Sequence, residues 1–294
     1  MSKIREMFCS RFGDEGLLVE FDFSQLEICA LAEVSQDKLL IEELNRGVDI
    51  HRSNAAMWLG KKPEDVTTDE RKKAKVMTFQ LQYGAKPPKM ASSLGISVGE
   101  AAAFVHAYYN KYSGIKSFHD SLETMKKAAE VSMRKQTEPE KEIMFLNPTP
   151  TGRQYGIPAR KSDSGTYYYS MTETKNYPIQ GFGTADIVPV VLNLIFCNLY
   201  EQNFRTQIIP INTVHDSFMF DCRAEYLDSL FVAVETAFKA FPARFKELFD
   251  YDLKVAYNYD VKYGKNWASK QMDSLTRKEV QMLIEDLYTN TRTV

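Results

Sequence analysis

The sequence predicts an α+β fold on three observations. "GLLVEFDF" (16–23) is a short, strongly apolar strand candidate near the start. "TQIIPINTVHDSFMFDC" (206–222) alternates on both sides of a polar interruption at His215, Asp216 and Ser217, as two strands meeting at a turn would. Between them, the spacing is helical from His51 to about Tyr112. Strands toward both ends with helices inside read as α+β.

Taken in order, "SQLEICALAEVSQ" shifts to helical spacing straight after the first strand, so Asp22 stands where that strand ends. "TTDE" supplies Thr67 and Glu70 at capping-box spacing and opens a helix, which Gly84 and "KPPK" (86–89) close. "AAAFVHAYYNKY" (101–112) is a further helix, and residues 135–170 collect most of the turn formers and read as loops with short strands, making them the expected domain boundary. "IVPVVLNLIFCNLY" (187–200) reads as a core helix, too short to span a bilayer. Residues 229–246 are helical and 255–267 offer another strand. "TRKEVQMLIEDL" carries a cap at Thr276 and Glu279, with Val280, Leu283, Ile284 and Leu287 on one face.

Composition supports a sizeable core, with 44% hydrophobic residues, 18 Phe and 16 Tyr in 294 residues. A formal charge of −2 argues against a globally basic nucleic-acid coat but leaves room for local segregation. The four cysteines are far apart with no CxxC pair, which suggests neither a zinc site nor a disulfide framework. No apolar stretch of signal-peptide length is seen in the opening "MSKIREMFCSRFG". A soluble protein of the cytoplasm, with no membrane partner, is the expectation.

"RKKAKVMTFQLQYG" (71–84) sets Arg71, Lys75, Phe79 and Tyr83 at steps of four. Each step drifts about 40° around a helix, so the four form one slowly winding stripe. Cations near a helix start oppose the helix dipole unless an anion meets them. A phosphate would do so, and a ring farther along could stack on whatever the phosphate is attached to.

Asp22 and Asp216 each sit at an apolar strand end, where a lone carboxylate is costly unless neutralised. Brought together, the pair would demand cations. Two Mg²⁺ ions roughly 3.5 to 4 Å apart, bridged by such carboxylates, form the arrangement that activates an attacking hydroxyl and stabilises a leaving pyrophosphate.

Five segments, "DFSQLEICALA" (22–32), "DIHRSNAAMWLG" (49–60), "RKKAKVMTFQLQYG", "NYPIQGFGTADI" (176–187) and "VHDS" (214–217), resemble in order the motifs of family A DNA polymerases. That group includes bacterial DNA polymerase I and many phage replicases. The resemblance runs from about Ile4 to Trp267. It implies an antiparallel palm sheet built from the beginning and end of the chain, with helical fingers inserted, and template-directed addition of dNTPs to a primer 3′ end. Asp22 and Asp216 would ligate two Mg²⁺ ions, assisted by the Phe23 carbonyl. Arg71 and Lys75 would bind the dNTP phosphates, and Lys75 could protonate the departing pyrophosphate. Phe79 would stack near sugar and base, and Tyr83 would flank the templating base. Glu27 falls where the family crowds the 2′ position and so favours deoxyribose. Gln25 and His51 join the nucleotide-binding set, His51 at the phosphates. Asn176 and Gln180 would contact the primer–template minor groove, and His215 the primer terminus. Members with Phe at position 79 tend to reject dideoxynucleotides.

The implied layout is palm over 1–50, fingers over 51–169, palm again over 170–271 and an extension helix over 272–294. Two departures stand out: Ser217 follows Asp216 where the family commonly has Glu, and Thr172 stands where bacterial relatives often carry Arg. With only 21 residues before Asp22, the expectation is a chain lacking thumb and 3′–5′ exonuclease, both supplied by a second polymerase subunit. A recombinant fragment or inaccurate gene start is the rival account. The alternative function is a noncatalytic DNA-binding or assembly subunit. A single-subunit RNA polymerase is disfavoured by Glu27. The extension helix is expected to pack back onto the palm, with docking of a partner as the other outcome.

Overall fold

The computed structural model describes residues 3–268 and 272–290. In chain order the strand β1 (Gly16–Phe23) is followed by α1 (Leu26–Ser35), α2 (Lys38–Asn45), α3 (Ile50–Leu59), α4 (Thr68–Gln82), α5 (Pro87–Leu94), α6 (Val98–Lys111) and α7 (Ser113–Met133). Then come β2 (Ile143–Leu146), β3 (Tyr155–Lys161), β4 (Tyr167–Tyr169), α8 (Met171–Gln180) and α9 (Val188–Glu201). The last part holds β5 (Ile208–Val214), β6 (Ser217–Arg223), α10 (Leu227–Phe249), β7 (Tyr259–Gly264), β8 (Asp273–Thr276) and α11 (Arg277–Asn290). Two compact units result: residues 1–26, 183–253 and 257–294 form the first, and 27–182 with 254–256 the second.

In the first unit the described residues include an antiparallel sheet of order β5-β6-β1-β7-β8. Strand alternation gives this sheet two unlike faces. One is aromatic: Phe21 stacks on Phe218 at 5.8 Å and meets Phe231 of α10 edge-on at 6.3 Å, while Phe238 of α10 lies 4.6 Å from Tyr259 and 5.2 Å from Phe23. Val19, Phe21 and Val261 on this face are fully buried. Burial of so many rings under one helix is the main apolar stabilisation of the unit, about 1.5–3 kcal/mol per large side chain. The opposite face carries Glu20, Asp22, Ser217, Asp260 and Lys262.

α11 packs back on α10: Val280 is buried, and Arg277 reaches the Glu235 carboxylate with Nε to Oε2 at 2.8 Å and Nη2 to Oε1 at 3.0 Å. Gln281 adds a hydrogen bond of 2.8 Å to Glu235 Oε1. Of the apolar face expected on this helix, Leu283 and Leu287 remain exposed.

The second unit packs α3 on α4, and α5 on α6. Its described residues also form the antiparallel sheet β2-β3-β4, whose Met144, Leu146, Tyr155, Ile157 and Tyr169 cluster with Leu122 and Met133 of α7. The stretch expected to mark a boundary, 135–170, thus folds inside a unit, because its turn formers separate short strands that share one core. The divisions fall instead at Leu26/Glu27 and Phe182/Gly183, besides the short excursion at 254–256. The "KPPK" stretch, read as a helix terminator, also starts a helix: Lys86 is the N-cap of α5 and the prolines occupy its first positions, where a missing N–H costs nothing.

The apolar segment after residue 187, expected to be too short for a bilayer, lies in a longer helical run. α8, a π-helical stretch (Gly181–Ile187) and α9 join into 31 residues, long and apolar enough by length and composition alone to cross a membrane. Within the first unit α9 spends its apolar face on α10, with Val188, Val191, Ile195 and Leu199 buried. At the start of the π-helical stretch a Cβ on Gly181 would come within 2.4 Å of the Tyr155 ring, so only glycine lets that backbone pass.

Candidate active site

Asp22 and Asp216 are brought together by strand pairing. β1 and β6 run antiparallel with Asp22 opposite Ser217, and the Phe23 N–H donates to the Asp216 carbonyl at 3.1 Å. Asp216 lies in the two-residue turn between Val214 and Ser217, whose first member, His215, takes φ of 55°. A two-residue hairpin needs positive φ there, where glycine is the usual occupant. His215 is exposed at this tip. The chain leaves β1 through a second left-handed residue, Gln25, at φ 56°, also exposed.

The Asp22 carboxyl is pushed up to about 6, first by burial, then by the negative charge of Asp216, with Glu20 and Asp260 adding to the effect and Lys262 opposing it. Sequence reasoning missed Glu20, Asp260 and Lys262. Period-two spacing puts Glu20 with Asp22, and Asp260 with Lys262. Only the register, Asp22 opposite Asp260 and Glu20 opposite Lys262, puts all four on one face. Among the described residues no three acidic, His or Cys side chains close into a ready-made metal cage. The donor set is nevertheless one of hard oxygens under mutual repulsion, which suits Mg²⁺.

In the second unit α4 begins with the expected capping box: Thr67 Oγ1 accepts from the Glu70 N–H at 3.3 Å and Glu70 Oε2 accepts from the Thr67 N–H at 2.9 Å. The stripe is present, with Tyr83 as the residue that ends the helix and Gly84 at φ 76° beyond it. Arg71 Nε donates to Asp49 Oδ2 at 2.6 Å. Burial pushes the Asp49 carboxyl up, but bonds from Arg71 and the Arg52 N–H outweigh this and leave it below the ordinary carboxylate range. Lys75 is exposed, its Nζ 5.6 Å from the centre of the Phe79 ring. Phe79 and Tyr83 stack at 6.4 Å with 22° between planes.

Behind this row lies His51, 2% exposed, its ring 5.6 Å from Phe79. Burial, with Lys75 and Arg71 nearby, pushes the imidazole down to about 4, so at neutral pH it is uncharged. It offers a phosphate neither charge nor much surface. The Tyr83 hydroxyl donates to Glu27 Oε1 at 2.9 Å and also bonds the Gln180 side chain. Burial, then the Glu27 charge, raises the phenol above its ordinary range. The structure therefore gathers Glu27, His51, Arg71, Lys75, Phe79, Tyr83 and Gln180 along one helix. Asn176, one turn before Gln180, is half-buried, and its Oδ1 has no protein partner.

The chain is similar to known proteins over most of its length. The chain is 28% identical over 225 residues to DNA polymerase I of Aquifex aeolicus, covering 74% of this chain and 34% of that protein. It is 29% identical over 236 residues to DNA polymerase I of Lactococcus lactis subsp. lactis, covering 79% and 24% respectively. It thus spans about a quarter to a third of the length of these curated relatives. Among solved structures it superposes on the POL domain of Pol1 from M. smegmatis, in complex with DNA primer-template and dNTP, with a TM-score of 0.64 at 22% identity, over 90% of this chain and 42% of that one. The sequence pattern that describes DNA polymerase family A matches residues 1–269. An antiparallel sheet joining two aspartates, a basic-aromatic helix and a family match over most of the chain lead to one conclusion: this chain belongs to DNA polymerase family A.

Proposed function

We propose that the chain is a DNA-templated DNA polymerase subunit that adds dNTPs to a primer 3′ end with two Mg²⁺ ions. The observation that carries this is the convergence of Asp22, near the end of β1, and Asp216, in the β5–β6 turn, so that the charge of one raises the carboxyl of the other. Asp22, Asp216 and the Phe23 carbonyl would hold the ions, and the repulsion between the carboxylates is what makes a dication welcome there. Bound Mg²⁺ supplies Lewis acidity to the attacking 3′ oxygen and charge neutralisation to the leaving pyrophosphate.

Within the second unit, the α4 row carries the residues proposed to bind the nucleotide. Lys75 is the exposed cation of the row and binds the triphosphate, then gives its proton to the departing pyrophosphate. Arg71 assists while Asp49 holds its guanidinium in place. Phe79 stacks near sugar and base, supported from behind by His51. Tyr83, fixed by Glu27 and Gln180, flanks the templating base, and Glu27 crowds the 2′ position against ribonucleotides. Gln25 borders the nucleotide, Asn176 and Gln180 the minor groove, and His215 the primer terminus.

A second polymerase subunit carrying thumb and 3′–5′ exonuclease completes the grip on duplex DNA. Primer extension by the purified chain, with and without its candidate partner, tests both. Extension should require Mg²⁺, prefer dNTPs over rNTPs and vanish in Asp216→Ala, and the partner should co-purify. If neither preparation extends a primer, the chain is a noncatalytic DNA-binding subunit. If the chain alone extends processively and no partner binds, the two-subunit reading goes.

A further inference from the structure

Glu20 is a buried carboxylate that the proposed chemistry has not used. It stands two residues before Asp22 in β1 and so emerges on the same face of the sheet. It is 8% exposed. Its Oε1 accepts from the Trp267 indole N–H at 3.3 Å and faces the Ser217 hydroxyl at 3.5 Å. That hydroxyl has one proton and a closer acceptor, the Val214 carbonyl at 3.1 Å. Lys262 is opposite Glu20 in the register, yet among the described residues no cation pairs with this carboxylate. A carboxylate buried with one neutral donor, on a face that also holds Asp22 and Asp260, has no counter-charge in contact among the described residues.

We infer that the missing counter-charge is the dication bound by Asp22 and Asp216, and that Glu20 is a positioning residue for it, contributing a third negative charge at one remove. This rests on the metal-dependent reading above. Ser217 is the complementary half of the arrangement. Its Oγ is 3.5 Å from Glu20 Oε1, so a longer, charged side chain at 217 would put two carboxylates into contact within a buried site. Positions 20 and 217 therefore share one carboxylate between them, and here it comes from β1.

The test is Mn²⁺ affinity of the full chain, measured by electron paramagnetic resonance without DNA or nucleotide, beside thermal melting in EDTA. Glu20→Gln should weaken Mn²⁺ binding about 10–100-fold, as loss of a supporting group around a metal does, while melting in EDTA at or above the wild-type temperature. Glu20→Gln combined with Ser217→Glu should regain most of the affinity. Unchanged affinity in Glu20→Gln overturns the inference, as does a lower melting temperature in EDTA, which would make Glu20 a structural partner of Trp267. Failure of the double variant to recover overturns the shared-carboxylate pairing. If wild type does not bind Mn²⁺, or Asp216→Ala binds it as well as wild type, the metal-dependent function itself falls.

Discussion

His51 shows how burial changes what a residue contributes. It titrates near 4 in the fold, against an ordinary value of 6.5, so the folded protein binds fewer protons than the unfolded chain between those values. Its contribution to stability is fully present above pH 6.5 and is lost as pH falls through 4, amounting to roughly 3 kcal/mol at most. Denaturant midpoints of wild type and His51→Phe, compared from pH 7 to pH 4, should converge or cross as the solution is acidified. Phe79 tests the placement of the sugar. A phenyl ring leaves the space near the 3′ position without a hydroxyl, so Phe79→Tyr should raise dideoxynucleotide incorporation relative to dNTP; unchanged selectivity would argue against that placement. The residues of the α4 row were legible because a single helix fixes their spacing. Glu20, Asp260 and Lys262 were not, since whether they surround Asp22 depends on which strands are neighbours and in what register.

Among elements, β1 lies where its apolar run put it and the β5–β6 hairpin where alternation did, and the capping boxes at Thr67 and Thr276 mark true helix starts. The caps and the hairpin turn are fixed by bonds within three or four residues, and β1 by its apolar run, which is why sequence reveals them. Short strands among the turn formers of 135–170 are present as β2, β3 and β4; that they close into one sheet is not legible in the sequence, because its core partners lie on α7. α11 offers the strongest test at this scale. Glu235 is 3% exposed and depends on Arg277, Gln281 and the Tyr259 hydroxyl for its satisfaction. Burial alone would raise its carboxyl, but the bonds to Arg277 and Gln281 bring it below the ordinary range. Arg277→Ala leaves that charge facing the more distant and exposed Lys239, 3.9 Å away, and should cost about 3 kcal/mol in chemical denaturation. Replacing Glu235 with Leu in the same background should recover much of the loss. A loss under 1 kcal/mol in the single variant would show that α11 contributes little to the first unit.

For the whole molecule, the organising fact is that the second unit is not quite contiguous. Residues 254–256 return to it, and Glu33, fully buried, accepts from the Lys254 and Val255 N–H groups at 2.7 and 3.0 Å. Asn45 clamps the same segment, accepting from the Ala256 N–H at 2.9 Å and donating to the Lys254 carbonyl at 2.8 Å. Such a contact joins positions more than two hundred apart and escapes any reading by periodicity. An excised fragment of residues 27–182 leaves Glu33 without these donors. It should unfold at lower urea concentration than the corresponding transition of the intact chain, and Glu33→Leu should narrow the difference.

β8 has a consequence of another kind. By pairing with β7 through Asp260 and Thr276 to Tyr263 and Asp273, it takes over the outer position of the sheet and leaves a four-residue border with an acidic residue at its tip. Cutting the chain before residue 272 would uncover the free backbone of β7, whose Val261 and Tyr263 belong to a strongly β-forming stretch, and turn a protected margin into a template for intermolecular ribbons.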